Sequence, residues 1–287
     1  MKLLIKKIQL MAVLILLLQS CTEKGPVIDL GGMQALSDTT YVSDQVESPQ
    51  QKNVLIDEFT GVRCVNCPDG HTLINTLQQN NPDRVIALGW HSELLGQPLP
   101  QSSQDLKIPE AQQTEDFLGG IQGKPSAGID RFIFSGENTI LVLLSKWAGF
   151  VSERLQLSTP LNISLNHSFD SGTRMLDFQT TLHYTEAVGF ENRLSVVIYE
   201  DNIIEPQVTQ GGIVDEYNHQ HVVRALITPL SGINLAESKV PGRVFVTTFQ
   251  KEIPASWNEE NLSIIAFVHR PSPDQEVIHA FKEKVTP

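Results

Sequence analysis

The run Val54-Leu55-Ile56-Asp57-Glu58-Phe59-Thr60-Gly61-Val62-Arg63-Cys64-Val65-Asn66-Cys67-Pro68 passes from an apolar stretch through a short turn into a Cys-x-x-Cys pair. Its first six residues suit a buried strand of a parallel sheet, where both faces are covered and alternation is lost. Beyond Cys67, Leu73, Ile74 and Leu77 recur at helical spacing until Asn80-Asn81-Pro82 stops the helix. The cysteine pair is therefore expected at a helix N-terminus. Free N–H groups and the positive end of the helix dipole stabilise a thiolate at Cys64, and Arg63 beside it adds to the effect. A thiol with a lowered pKa attacks disulfides near neutral pH, and Cys67, one turn on, is placed to resolve the mixed disulfide. Pro68 falls in the first turn, where a missing N–H costs least.

Further along, Val85 to Trp90 reads as a second parallel strand and Pro109 to Leu118 as a helix ending at Gly119-Gly120. Trp147, Phe150, Val151 and Leu155 mark a closing helix with one apolar stripe. With Glu58 six residues before Cys64 and Phe59 after it, this order over residues 52–158 resembles a thioredoxin-like domain. The resemblance implies that Cys64 attacks, Cys67 resolves and Glu58 carries a proton beneath the dithiol. It also implies that Pro125, in Gly123-Lys124-Pro125-Ser126, is a cis-proline facing the dithiol and touching substrate through its backbone. Three departures stand out: Arg63 replaces the usual Trp, Val65-Asn66 replaces Gly-Pro, and the polar segment Ser92 to Gln113 is inserted near the active edge.

Other uses of the pair remain open. An inert disulfide between Cys64 and Cys67 forms readily in an oxidising compartment, and Glu58 is then only a strand residue. Pro68 replaces the His of a haem-attaching Cys-x-x-Cys-His, and structural zinc lacks a second cysteine pair. The remaining metal set is Cys64, Cys67 and His91 as soft copper ligands, ranked below redox chemistry. No cofactor is expected.

At the other end, Lys2, Lys6 and Lys7 flank an apolar run from Ile8 to Leu18. That run, at about 1.5 Å per residue, is too short to cross a hydrocarbon core of roughly 30 Å, and it reads as a signal peptide. Leu18-Gln19-Ser20-Cys21 resembles the lipobox of bacterial lipoproteins, which implies a signal over residues 1–20 and a lipid on Cys21. Thr22, in place of a retaining Asp, favours the outer membrane. Residues 21–51 hold few large apolar side chains and are expected to form a flexible tether.

From Pro160 the pattern changes to short strands separated by turns such as Ser171-Gly172 and Gly211-Gly212, which predicts an all-β, Ig-like sandwich over residues 159–287. Leu194 to Tyr199, Arg243 to Phe249 and Leu262 to Val268 read as its central strands. On a strand, His219 and His221 would share a face, though no third metal ligand accompanies them. The 287 residues carry 21 Lys and Arg against 33 Asp and Glu, a net charge of −12, which argues against nucleic acid as a partner. No Gly-x-Ser-x-Gly, His-Glu-x-x-His, P-loop or dinucleotide loop is present.

The segments Glu58 to His71, His219 to Arg224 and Asn261 to Val268 together resemble the twenty-eight-kilodalton outer-membrane protein family, surface-antigen lipoproteins in which a thioredoxin-like domain precedes a β-sandwich. The resemblance implies anchoring in outer-membrane lipid through acylated Cys21 and exposure at the cell surface. Two functions follow as expectations. One is thiol–disulfide exchange on exported or surface proteins. The alternative is a surface binding protein, adhesin or receptor that uses the thioredoxin-like part as scaffold, with a structural disulfide.

Overall fold

The computed structural model describes residues 37–286, so the expected signal peptide, Cys21 and the first part of the tether lie outside the described residues. In chain order the elements are β1 (Ser37–Val42), β2 (Val54–Thr60), α1 (Cys67–Asn80), β3 (Val85–His91), α2 (Pro109–Phe117), β4 (Ser126–Ile129), β5 (Leu141–Leu143) and α3 (Leu144–Arg154). There follow β6 (Leu161–Asp170), β7 (Met175–Tyr184), β8 (Arg193–Glu200), β9 (Ile203–Thr209), β10 (Gly212–His219), β11 (Val222–Leu226), β12 (Ile233–Asn234), β13 (Arg243–Glu252), β14 (Leu262–His269) and β15 (Val277–Lys284). The chain is β-rich, and no helix among the described residues is long and apolar enough to cross a membrane.

The strands form three sheets. The largest runs β15-β14-β8-β11-β3-β2-β4-β5, with β12 on β8; a second runs β1-β13-β7-β6; β9 and β10 form a hairpin of their own. Strands from residues 52–158 and from residues 159–287 thus share one sheet. Their seam is the parallel pairing of β11 with β3 at Val222 and Gly89, where Gly89 N–H donates to the His221 carbonyl at 2.7 Å. A Cβ on Gly89 would sit 3.2 Å from that carbonyl oxygen, so the bare backbone is what allows the two halves to close up.

Alternation along the strands explains three cores. On β8, Leu194, Val196 and Ile198 face the four-stranded sheet, and Leu161, Phe178, Tyr184, Phe249 and Ile264 complete that cluster. Val197 and Tyr199 point the other way and join Phe59, Trp90, Ile265 and Phe267 under α2. On β2, Val54 and Ile56 turn to a third cluster in which Ile74 and Leu77 of α1 meet Trp147 and Val151 of α3. Both faces of the large sheet are therefore covered, and its strands read as near-continuous apolar runs.

The expected tether is corrected in its second part. Ser37–Val42 pairs antiparallel with β13, from Ser37 opposite Thr248 to Val42 opposite Arg243. Gln50 then lies along β6: its carboxamide accepts from Ile163 N–H at 3.0 Å and donates to the Ile163 carbonyl at 3.1 Å. Ladder bonds to the edge of β13 hold this segment, not burial, since Tyr41 and Val42 remain exposed. Its polar composition therefore concealed a strand.

One buried carboxylate ties the layers together. Asp130, fully buried after β4, pairs with Lys52 Nζ at 2.9 Å and Arg154 Nε at 2.8 Å. It also accepts from Leu55 N–H at 2.9 Å, while its own carbonyl accepts from Val277 N–H at 2.7 Å. Its φ of 48° is a left-handed value that Asp tolerates better than most residues.

Candidate functional site

Because β2 and β3 pair in parallel register, with Glu58 opposite Gly89 and Thr60 opposite His91, the side chains of Glu58, Thr60 and His91 share the face that carries Val54 and Ile56. This face turns from apolar to polar at its C-terminal end, beneath the start of α1. Glu58 is 4% exposed and one carboxylate oxygen, Oε1, has no hydrogen-bond partner. Burial pushes its pKa up to about 8, only partly opposed by Lys124. The carboxyl group is thus largely neutral at pH 7. Lys124 donates to the carbonyls of Thr60 and Ser92, and burial lowers its pKa to about 8.

His71, one turn into α1, faces the same place. Its ring accepts or donates to Thr60 Oγ1 at 2.9 Å and Tyr217 Oη at 2.7 Å, and lies 3.7 Å from Glu58 Oε1. His219 packs edge-on against His91 with ring centroids 5.7 Å apart and against Tyr217 at 4.9 Å. Burial holds His71 down to about 3 and His219 to about 4, and drives His91 well below its ordinary value. All three rings are therefore neutral at pH 7.

Cys64 and Cys67 are joined as a disulfide. α1 begins at Cys67, and Cys64 lies in the preceding turn, with Asn66 as N-cap. The expectation of an open sulfur at the helix mouth is not met, since Cys64 is 1% exposed and Cys67 fully buried. Two segments cover them. From the inserted loop, Leu95 carbonyl accepts from Arg63 N–H at 2.9 Å, and the Arg63 guanidinium donates to the carbonyls of Gln97 and Pro98. From the β9–β10 hairpin, Val208 N–H donates to the Val62 carbonyl at 2.8 Å and Gln207 Nε2 donates to the Cys64 carbonyl at 2.9 Å. Val62, Leu99, Leu106, Ile203 and Val222 form a small apolar cluster at this junction. The Lys124–Pro125 peptide is cis, and because Ser126 pairs with Phe59, Pro125 lies at the end of β2 that leads to Cys64.

The metal expectation changes in the same way. Mutual bonding removes both sulfurs as ligands in this state, and no group of three or more His, Cys, Asp or Glu among the described residues is arranged to hold a metal. His219 and His221 do not share a strand face. β10 ends at His219, while His221 adopts φ 57° and bonds Asp201 and Gln78 instead. Sequence reasoning missed Gln207 as a neighbour of Cys64 and Tyr217 as a partner of His71, because each lies some 140 residues away along the chain. The His219-Gln220-His221 run was the available signal.

The close fit of loop on turn gives a test. A Cβ at Gly61 would come 2.4 Å from the Leu95 carbonyl oxygen, a backbone atom that moves only with its loop. Gly61→Ala is expected to lower stability by about 1–3 kcal/mol, read as a drop of several degrees in the thermal midpoint. An unchanged midpoint would show that the inserted loop is not packed as described.

A surface groove of about 730 Å³ lies far along the chain from the disulfide, between Ala187–Glu191 and Asn234–Val240. It includes half-exposed Phe190, on which the Arg270 guanidinium stacks at 4.0 Å.

Among solved structures, HBP35 of Porphyromonas gingivalis is similar at 22% identity and TM-score 0.64, covering 83% of this chain and 77% of that one. A protein of Agrobacterium tumefaciens is similar at 14% identity and TM-score 0.53, covering 83% of this chain and 97% of that one. A domain of the outer membrane lipoprotein Omp28 from Porphyromonas gingivalis, 20% identical, covers 45% of this chain and 90% of that domain at TM-score 0.32. No curated protein matches the chain. The likenesses to HBP35 and the Agrobacterium protein bear on the fold alone. The model of the outer membrane protein Omp28 family matches residues 112–287. The match starts inside α2, so it leaves out the Glu58 to His71 motif and takes in the rest of the expected resemblance. With more than half of its length matched, the chain belongs to the outer membrane protein Omp28 family.

Proposed function

We propose that this outer-membrane protein is a surface binding protein, moored by lipid on Cys21, in which a thioredoxin-like arrangement serves as scaffold and the Cys64–Cys67 bond is structural. The burial of both sulfurs carries this proposal. Exchange requires a thiolate to approach a disulfide sulfur along the bond axis, and here the hairpin and the inserted loop occupy the approach. The strand–helix–strand start at β2, the cis peptide before Pro125 and the antiparallel β4–β5 pair support the thioredoxin-like description. The groove between Ala187–Glu191 and Asn234–Val240, lined by Phe190 and by the charged Glu191, Glu237 and Lys239, is the surface offered to a ligand.

The test separates scaffold from exchange. Reduction of the native disulfide must wait for the roof to lift. An opening that costs about 3 kcal/mol leaves roughly one molecule in a hundred reactive. In mild dithiothreitol, followed by alkylation and mass measurement, the bond is expected to resist reduction until denaturant is added. A Cys67→Ser variant is expected to trap no mixed disulfides from outer-membrane extracts. Rapid native reduction together with trapped partners would restore exchange as the function.

A further inference from the structure

His91 is 3% exposed and His219 is 1% exposed, and none of their four ring nitrogens has a hydrogen-bond partner. Buried polar atoms are rarely left unpaired in a folded protein, so two adjacent rings in this state call for a guest. Backbone carbonyls lie beside both rings, that of Gly89 by His91 and those of Glu205 and Pro206 by His219. A backbone carbonyl beside one ring nitrogen is the usual surrounding of a metal-bound imidazole, which turns its N–H to a carbonyl and its other nitrogen to the ion.

The spacing narrows the class of ion. Two imidazoles in line on one ion, with bonds of about 2 Å each and roughly 1.15 Å from nitrogen to ring centre, place their centroids about 6.3 Å apart, and a bend at the ion shortens that. The observed separation is 5.7 Å. His71 cannot join without losing partners, since its two nitrogens are taken by Thr60 and Tyr217. Ions that demand four or six ligands find no set of three His, Cys, Asp or Glu side chains among the described residues, which disfavours them here. What remains is a soft cation content with two nitrogen donors. A single positive charge is also the cheapest to bury: Lys124 close by opposes a double charge more than a single one, and Glu205 beside His219 favours positive charge there. We propose that His91 and His219 bind one soft monovalent cation, Cu(I) or Ag(I), in a two-coordinate site under the β9–β10 hairpin. The site is independent of the function proposed above, since it uses neither sulfur.

Silver(I) is the probe of choice because it does not reduce the disulfide. In full-length Cys21→Ser protein with the Cys64–Cys67 bond intact, no free thiol remains. Native mass spectrometry is expected to show one Ag(I) per chain, and the thermal midpoint should rise with it, since a ligand that prefers the folded state stabilises it. His219→Phe and His91→Phe should each lose that ion, while Cys64→Ser with Cys67→Ser should retain it. No bound ion in the parent protein overturns the proposal whatever the variants do, and leaves buried water as the partner of these nitrogens. An ion retained by both folded Phe variants overturns it equally.

Discussion

Asp130→Asn is expected to remove about 3–5 kcal/mol of stability, a large share of the 5–15 kcal/mol typical of a folded chain. Asn matches Asp in size and tolerates the same left-handed φ of 48°, so neither a cavity nor backbone strain enters. What goes is the carboxylate between Lys52 Nζ and Arg154 Nε, which stay buried with only Glu276, on the far side of the Arg154 guanidinium, as counter-charge. Burial already lowers the pKa of Lys52 despite its partner, a sign that its desolvation is only partly repaid. Because Asp130 also holds β2 through Leu55 N–H and α3 through Arg154, the loss should be felt across the molecule. Urea unfolding of the variant measures it. Adding Lys52→Met should restore part of the loss, as removing a stranded charge costs less than keeping it. A loss below 1 kcal/mol in the single variant would mean that solvent reaches this carboxylate.

Acid is expected to unfold the protein unusually early. Burial lowers His269 and His279 to about 3, from an ordinary value near 6.5. His71 at about 3, His219 at about 4 and His91 well below its ordinary value bring the number to five. A folded-state pKa below the unfolded one means that the unfolded chain binds the proton first. The stability these groups contribute is therefore complete above about pH 6.5 and is lost as pH falls toward their folded values. Each costs up to about 1.4 kcal/mol per pH unit in that window, so five together exhaust a typical stability within about two units. Glu58 acts in the opposite sense: its raised pKa gives stability that is whole below about 4.5 and fades as pH climbs through about 8. One group opposes five, so the urea midpoint should peak near pH 6.5, decline gently toward pH 8.5 and collapse by about pH 4.5 to 5. A midpoint flat between pH 7 and 4.5 would refute the burial of these rings.

Local pattern made much of this architecture legible. β2, β3, α1, α2 and α3 follow from apolar runs and helical spacing, and the central strands of the second half from unbroken runs such as Leu194 to Tyr199. What local pattern does not carry is pairing between distant segments. Val222 opposite Gly89 joins strands that composition assigns to separate units, and nothing near either residue announces the other. The cysteine pair was legible as chemistry and misleading as exposure, since its cover comes from Gln207 and Val208 on a hairpin far downstream. Likewise Glu58 was visible as an acid under the dithiol, whereas its histidine neighbours depend on where α1 and β10 come to rest.

The pairing of Ser37–Val42 with β13 also sets a leash. For a lipid carried on Cys21, as proposed, only 15 residues, or 16 steps of the chain, separate the mooring from Ser37 at the start of β1. Fully stretched at about 3.5 Å per residue, they reach about 55 Å, little more than half of what a free segment to residue 51 would allow. With that mooring the first strand would stay within about 55 Å of the lipid, and any ligand of the proposed binding protein would have to come to the membrane to be caught.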